Sequence, residues 1–259
     1  MKWRLIIDGP VDGMRNMAVD RAILYAHEKG DAPPTLRLYR WRVPTVTLGK
    51  FQSVEEVDVE LCERLGIDVV RRPTGGRGVL HDDEVTYSVV AGVREGLPRS
   101  VAASYRLLCG ALVEAYRALG VDAALTSRSR GERSAGACYL HATNADLSLG
   151  VAKLSGSAQV WHRDSCLQHG SFVRTRDIAR EVRVFRLDGG EEAILKRRTA
   201  TFEDVLAQPP DASTVHAAIV EAFERVLRID LEPGALSSAE HTAADDTRSL
   251  FRVGYDHPV

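Results

Sequence analysis

The spacing of apolar residues divides the chain into short strands and amphipathic helices. In the segment that begins at Asn16, apolar residues such as Ala18 and Ala22 recur every three or four positions, as on one face of a helix. Short β-branched or alternating runs, bounded by glycine, proline or charged residues, indicate strands. We predict helices over residues 16–28, 54–65, 104–119 and 213–227, and strands over residues 3–8, 36–41, 45–49, 68–72, 84–90, 146–149, 153–160 and 166–173.

The order of these elements predicts the fold class. The strands follow one another without regularly spaced crossover helices, which favours an α+β fold, a mixed β-sheet flanked by helices, over a doubly wound parallel sheet. A length of 259 residues fits one large domain. We assign residues 1–230 to that domain. Residues 231–259, which are polar and poorly patterned, form a C-terminal tail that packs on it or extends from it.

Composition and charge narrow the function classes. The formal net charge of −2 argues against a dedicated nucleic-acid binder. No apolar run approaches the roughly 18 residues that crossing a membrane requires. The first residues contain only three consecutive apolar positions before Asp8, so we expect no secretory signal. The four cysteines, Cys62, Cys109, Cys138 and Cys166, are therefore expected to be reduced thiols of a cytoplasmic protein.

A glycine segment at residues 71–82, R-R-P-T-G-G-R-G-V-L-H-D, lies between two predicted strands. Its three glycines allow close approach of the backbone to a ligand. Successive amides in such a loop can face an anion or a carbonyl oxygen. The segment matches neither the dinucleotide nor the P-loop fingerprint. The alternative is a glycine-rich hairpin with a solvated basic edge.

Two strands carry polar groups among small or apolar neighbours. Lys153 begins the run K-L-S-G-S-A-Q, and His169 lies in L-Q-H-G-S. Taken singly, each has an ordinary explanation: an exposed strand lysine and a structural histidine whose hydrogen bonds are satisfied.

The cysteines differ in their sequence surroundings. Cys138 follows a polar, arginine-rich stretch at residues 126–136, which favours an accessible thiol. Cys109 lies on an apolar predicted helix, as a small core residue would. Cys166 is a second candidate nucleophile because it precedes His169 on the same strand.

Taken together, these motifs resemble the lipoate–protein ligase and octanoyltransferase family, and within it the cysteine-dependent, LipM-type octanoyltransferases. The glycine segment, a cysteine, K-L-S-G-S-A-Q and L-Q-H-G-S occur in that family's order and at similar spacing. N-M-A-V-D from Asn16, L-Y-R-W from Leu38 and G-K-F-Q from Gly49 match as well. The resemblance extends from about residue 3 to about residue 230.

The resemblance implies a biotin/lipoyl-transferase-like fold with Cys138 as the acyl-accepting nucleophile and Lys153 as its activating partner. Arg77 stands where the family's ATP-dependent ligases usually carry a third successive glycine, as it does in the transferases. The residues implied for substrate binding are Arg72, Thr74, Gly75, Gly76, Arg77, Gly78 and His81 in the first motif, Ser155, Gly156, Ser157 and Ala158 in the second, and Gln168, His169 and Gly170 in the third.

The resemblance also implies the substrates. The donor would be an octanoyl-acyl carrier protein, and the acceptor a lysine of a lipoyl-domain protein, either the glycine cleavage H protein or a 2-oxoacid dehydrogenase E2. No metal or cofactor is expected, since the octanoyl or lipoyl group is substrate. Two alternatives remain at this point: an ATP-dependent lipoate–protein ligase, and a non-catalytic protein that binds lipoyl domains.

Basic clusters are candidates for contact with an acidic carrier protein. One consists of Arg128, Arg130 and Arg133, and the other of Lys196, Arg197 and Arg198. The first is preferred because it leads directly to Cys138. The alternative for both is that they are solvated surface charges.

Overall fold

The computed structural model of the protein describes residues 1–125 and 146–253, and it confirms the predicted α+β class. Among the described residues, none of the helices has both the length and the apolar composition needed to cross a bilayer. The strands are β1 (Lys2–Val11), β2 (Thr35–Trp41), β3 (Thr45–Leu48), β4 (Asp68–Arg71), β5 (Val79–His81), β6 (Glu84–Gly92), β7 (Ala124–Leu125), β8 (Leu147–Leu149), β9 (Ala152–Ser155), β10 (Ser157–His162), β11 (Ser165–Val173) and β12 (Asp230–Pro233). The helices are α1 (Gly13–Lys29), α2 (Val59–Arg64), α3 (Val101–Ala118), α4 (Ile178–Val184), α5 (Gly189–Arg198), α6 (Phe202–Val205), α7 (Ala212–Leu227) and α8 (Ser238–Thr247).

A six-stranded mixed sheet forms the centre of the molecule, in the order β10-β11-β6-β2-β1-β12. The first four strands pair antiparallel, whereas β1 lies parallel to both β2 and β12. Side chains alternate between the two faces of each strand. On β2, Leu36 and Leu38 therefore pack towards α3 and α7, while Tyr39 and Trp41 pack on the side of α1.

Two smaller, three-stranded sheets accompany the large sheet. One, in the order β4-β3-β5, shares a hydrophobic cluster with α2, α4 and α5. The other, in the order β7-β8-β9, contacts β11 through β9. The glycine segment connects β4 to β5, and Lys153 lies on β9.

Two predicted elements are interrupted in the structure. The helix predicted over residues 54–65 is a 3-10 turn (Val54–Glu56) followed by α2, because Asp58 caps α2 with its side chain 2.9 Å from the amide of Leu61. The strand predicted over residues 153–160 divides at Gly156 into β9 and β10, which belong to different sheets. Both single-element predictions are therefore wrong.

The C-terminal residues pair with the main domain despite their polar sequence. Strand β12 extends the large sheet beside β1, and α8 packs on α1. Arg4 on β1 donates to both carboxylate oxygens of the buried Glu240 on α8, at 2.7 and 2.5 Å. Backbone pairing and this ion pair hold a segment that has little apolar pattern of its own.

Candidate active site

A cavity of about 160 Å³ opens on the α1 face of the large sheet. Its wall is formed by the glycine segment, by the junction between β9 and β10, and by side chains of α1, β2, β3, β6 and β11. The lining residues are Met17, Tyr39, Trp41, Thr47, Arg72, Gly76, Arg77, Val79, His81, Thr86, Asp146, Lys153, Gly156, Ser157, Ala158, His169, Gly170 and Ser171.

The buried Arg72 side chain organises the glycine segment. Its Nη2 donates to the carbonyl oxygens of Gly75 and Arg77, both at 2.8 Å, while Nη1 donates to the carbonyl of Thr47 at 3.0 Å. Gly76 has φ of +96°, a conformation that glycine adopts most readily. The segment is thus held by side-chain contacts, and it is not a hairpin, because β4 and β5 both pair with β3.

Lys153 lies at the cavity wall in a buried ion pair. Its Nζ is 2.9 Å from Oδ2 of Asp146, and both side chains are almost completely buried, with 4% and 3% exposed. The backbone carbonyl of Lys153 accepts a hydrogen bond from the amide of Ala200 at 3.0 Å. The alternative of an exposed strand lysine is therefore wrong.

His169 connects the glycine segment to helix α1. Its Nε2 lies 2.7 Å from Oγ1 of Thr74, and its Nδ1 lies 3.3 Å from Oδ2 of Asp20. Burial lowers the pKa of His169 and keeps the ring neutral, against the opposing influence of Asp20. Burial acts to raise the pKa of Asp20, but the His169 hydrogen bond and the charge of Arg37 outweigh it and lower that pKa.

A second buried carboxylate, Glu84, orients His81. Nδ1 of His81 lies 2.8 Å from Oε1 of Glu84, and its Nε2 lies 2.9 Å from Oγ1 of Thr47. The same carboxylate oxygen accepts hydrogen bonds from Trp41 and Ser171. Burial acts to raise the pKa of Glu84, but the charge and hydrogen bond of His81 and the hydrogen bonds of Ser171 and Thr86 outweigh it and lower that pKa.

The second and third motifs meet where β10 pairs with β11. A Cβ atom on Gly170 would lie 2.6 Å from the carbonyl oxygen of Gly156, so this position requires glycine. Ala158 pairs opposite His169 in the same ladder. Ser157 contacts the hydroxyl of Tyr87 at 2.6 Å.

Five of the predicted residues do not line the cavity. Gln168 is on the opposite face of β11 from His169 and donates to the hydroxyl of Tyr87 at 3.0 Å. Ser155 donates to the carbonyl of Ser171 at 2.7 Å, which holds β9 against β11. Thr74, Gly75 and Gly78 belong to the glycine segment without lining the cavity.

Most of the residues predicted from the sequence motifs line one cavity. They are Arg72, Gly76, Arg77, His81, Lys153, Gly156, Ser157, Ala158, His169 and Gly170. Asp146, which pairs with Lys153, was missed, because an aspartate before a short strand carries no distinctive signal. Met17, Tyr39 and Trp41 also line the cavity. They belong to the matching N-M-A-V-D and L-Y-R-W segments, which were the available signal.

Three cysteines lie within the described residues, and all are buried free thiols. Burial raises the pKa of Cys62 to about 11, and of Cys109 and Cys166 to about 12. A thiol with such a pKa is almost entirely protonated at neutral pH and is a poor nucleophile. Cys138, together with Arg128, Arg130 and Arg133, lies outside the described residues.

Comparison with known proteins identifies the family. Residues 12–224 match the model of the lipoyl protein ligase A/B catalytic domain. The chain belongs to this family. It is 39% identical to the octanoyltransferase LipM of Moorella thermoacetica, over 96% of this chain and 95% of the relative. It is 40% identical to the octanoyltransferase LipM of Kyrpidia tusciae, over 96% of both chains.

Solved structures of the lipoyl protein ligase A/B family share the fold. A bi-partite lipoate protein ligase of Thermoplasma acidophilum superposes with a TM-score of 0.79 at 26% identity, covering 96% of this chain and 92% of that one. A lipoate-protein ligase A bound with ATP gives the same TM-score and identity. Because its relatives at 32–40% identity over most of the chain are octanoyltransferases, this member of the family is an acyltransferase of the octanoyltransferase kind.

Proposed function

We propose that this octanoyltransferase takes octanoyl from an acyl carrier protein onto Cys138 and passes it to a lysine of a lipoyl-domain protein. The acceptor would be the glycine cleavage H protein or a 2-oxoacid dehydrogenase E2. The observation that carries the proposal is the buried Lys153–Asp146 ion pair in the wall of the cavity that the glycine segment also lines.

The reaction consists of two consecutive acyl transfers. The Cys138 thiolate attacks the donor carbonyl, a new C–S bond forms, and the carrier thiolate leaves and takes up a proton. The acceptor amine, once deprotonated, then attacks the Cys138 thioester, and an amide forms as the cysteine thiolate leaves. The first exchange converts one thioester into another and the second is downhill, so neither step requires a nucleotide or a metal.

The thiol needs help to ionise. At a pKa near 8.5 only about 3% of a thiol is thiolate at pH 7. A neighbouring ammonium that lowers this pKa by about 1.5 units would raise the fraction to roughly half. Lys153 suits this role because Asp146 fixes its amine at the cavity wall. The same amine can protonate the leaving carrier thiol and accept a proton from the incoming lysine.

The three described cysteines are poor candidates for the nucleophile. Cys166, the second candidate, is 1% exposed and has a pKa raised to about 12 by burial. Cys138 follows the arginine-rich stretch at residues 126–136, and it precedes Asp146 by eight positions.

An acidic carrier requires a basic surface on its enzyme. Lys196, Arg197 and Arg198 form the exposed last turn of α5. Thr199, the next residue, bridges to Lys153 on β9. The α5 cluster is therefore the described basic surface that we assign to donor docking.

The test is a reconstituted transfer without nucleotide. Purified enzyme, octanoyl-acyl carrier protein and an apo lipoyl domain are mixed with and without ATP, and the mass of the lipoyl domain is followed. We expect the domain to gain one octanoyl group at the same rate in both reactions. Product that forms only with ATP would contradict the proposal and favour a ligase.

A further inference from the structure

An exposed phenylalanine stands beside the cavity on a turn that the protein holds rigid. Phe51 is 87% exposed, more than any other large apolar side chain among the described residues. Isolated apolar residues on a surface need no explanation by themselves. Phe51 differs from them because of how its turn is built and where the turn lies.

Side-chain hydrogen bonds hold the turn at residues 49–52. Nη1 of Arg71 donates to the carbonyl oxygens of Gly49 and Gln52 at 2.8 and 2.7 Å. The side chain of Gln52 accepts from the amide of Gly49 at 3.2 Å and donates to Glu56 at 2.9 Å. An aromatic side chain on a preorganised turn loses little conformational entropy when a partner covers it.

The turn packs against the glycine segment, which lines the cavity. The amide of Lys50 donates to the carbonyl of Thr74 at 2.8 Å, and a Cβ atom on Gly49 would lie 2.0 Å from the carbonyl oxygen of Gly76. Gly76 lines the cavity. Phe51 is two residues from Gly49, at most about 7.6 Å between Cα atoms. It therefore stands next to the wall where acyl transfer is proposed.

We propose that Phe51 and Lys50 form the docking surface for the folded acceptor domain, an inference that rests on the proposed function. A lysine amine stands on a four-carbon stem. For acyl transfer at the cavity, the backbone of the acceptor must therefore come within one side-chain length of the thioester and must contact the surface beside the cavity. A carrier protein presents its acyl group on a long flexible arm, so its body can dock farther away, for example at the α5 cluster.

The charge of the surface specifies the chemistry of the partner. Lys50 is exposed, with its Nζ 5.4 Å from the centre of the Phe51 ring. An apolar ring flanked by a cation fits a domain that presents a small apolar depression with carboxylates beside its target lysine.

The experiment separates the acceptor step from the donor step. Wild-type, Phe51→Ser and Lys50→Glu enzymes are loaded with octanoyl either from a small thioester or from octanoyl-acyl carrier protein, and the loading rates are compared. The loaded enzymes are then given either the apo lipoyl domain or a short peptide containing its target lysine. Val93→Ser is the matched control: Val93 is 41% exposed and follows Gly92, which lies about 20 Å along β6 from the cavity residue Thr86.

We expect Phe51→Ser to raise the KM for the lipoyl domain about thirtyfold, the lower bound for an aromatic hot spot. Lys50→Glu should raise it as well and reduce its salt dependence. In both variants, loading of the enzyme and transfer to the peptide should stay at wild-type values, and Val93→Ser should match the wild type in every rate. Phe51→Trp, which keeps an aromatic ring, should dock like the wild type.

Three results would overturn the proposal. An unchanged KM for the domain in Phe51→Ser would remove the surface. An equal loss with domain and peptide would mean that Phe51 shapes the cavity, and slower loading from octanoyl-acyl carrier protein alone would make it a donor surface. Calorimetry on the unloaded variants gives the dissociation constant of the lipoyl domain and so tests docking without acyl transfer. A wild-type enzyme that forms no acyl adduct would contradict the proposed function and not the docking surface.

Discussion

The Lys153–Asp146 pair is costly to bury. Removing two charges from water is repaid only when each has a close, well-oriented partner, and breaking such a pair typically costs about 3–5 kcal/mol. Here the two side chains are 4% and 3% exposed at a separation of 2.9 Å. Under the proposed function, this pairing holds the Lys153 amine in one position at the cavity wall, which would not be so for a solvated lysine.

Two variants of Lys153 should distinguish the effect of its charge from its ability to transfer protons. Lys153→Arg keeps a cation but cannot readily donate and accept a proton. We expect it to lose octanoyl transfer while it partly retains thiol reactivity, and we expect Lys153→Ala to lose both. Alkylation rates against pH measure the thiol, and the wild-type curve should show a midpoint below pH 8.5. A normal midpoint together with an active Lys153→Ala would remove the lysine from the mechanism.

The position of Lys153 in the cavity wall could be predicted from the sequence, and that of Asp146 could not. Lys153 lies inside a long motif, K-L-S-G-S-A-Q, whereas Asp146 precedes a three-residue strand with no motif around it. The pairing of the two depends on the hairpin of β8 and β9, which brings Ser148 opposite Lys153. Such a partner follows from the fold and cannot be recognised from local sequence.

The glycine segment depends on close backbone contact with β3. A Cβ atom on Gly49 would lie 2.0 Å from the carbonyl oxygen of Gly76, whereas one on Gly75 would meet no atom within 4 Å. We expect Gly49→Ala to displace the segment, lower stability by about 1–3 kcal/mol and reduce octanoyl transfer at least tenfold. The control Gly75→Ala should resemble the wild type in melting temperature and activity. Equal behaviour of the two variants would contradict this role.

Helix α1 is tied to the large sheet by Asp20. Its carboxylate accepts from Arg37 and Ser88, both at 2.8 Å, and contacts His169. Because the pKa of Asp20 is lowered from 3.8, its contribution to stability is present above that pH and is lost as the pH falls through the folded-state value. Asp20→Asn should therefore lower the free energy of unfolding by about 3–5 kcal/mol at pH 7.

Urea unfolding at pH 7 and at a series of pH values descending from 3.8 through the folded-state pKa of Asp20 measures this effect. The difference between wild type and Asp20→Asn should shrink as the pH falls, because protonation of Asp20 makes the two proteins alike. Asp245→Asn, which removes the 67%-exposed partner of Arg15, should change stability little at any of these pH values. A difference for Asp20→Asn that does not vary with pH would mean that the carboxylate charge is not responsible.

Elements with strong apolar pattern were predictable, and those held by long-range pairing were not. Helix α3 runs from Val101 to Ala118, close to the predicted residues 104–119. By contrast, β12 contains Asp230, Glu232 and Pro233 and exists because β1 offers it a parallel edge. The division of residues 153–160 into two strands at Gly156 could not be predicted either, because one continuous run of strand-forming residues contributes to two sheets.

At the scale of the whole molecule, a chain with a net charge of −2 must bind an acidic donor through a local basic surface. Replacing Lys196, Arg197 and Arg198 by serine should raise the KM for octanoyl-acyl carrier protein about tenfold at low salt and flatten its salt dependence. Turnover of a small octanoyl thioester should be unchanged.

A matched control removes three charges at other places. Lys29 ends α1, about 18 Å along the helix from the cavity residue Met17. Arg225 and Arg228 lie at the end of α7, which leads to the β12 edge of the large sheet. Serine at these three positions should leave the KM unchanged. Equal losses in the two triple variants would indicate a general effect of net charge and would remove the α5 docking surface.

The central claim is that the octanoyl group travels on Cys138. The most direct measurement is the intact mass of wild-type, Cys138→Ala and Cys166→Ala enzymes after incubation with octanoyl-acyl carrier protein, followed by peptide mapping of the adduct. We predict one octanoyl group on Cys138 in the wild type and in Cys166→Ala, and none in a normally folded Cys138→Ala. An adduct that persists in Cys138→Ala and disappears in Cys166→Ala would contradict the account.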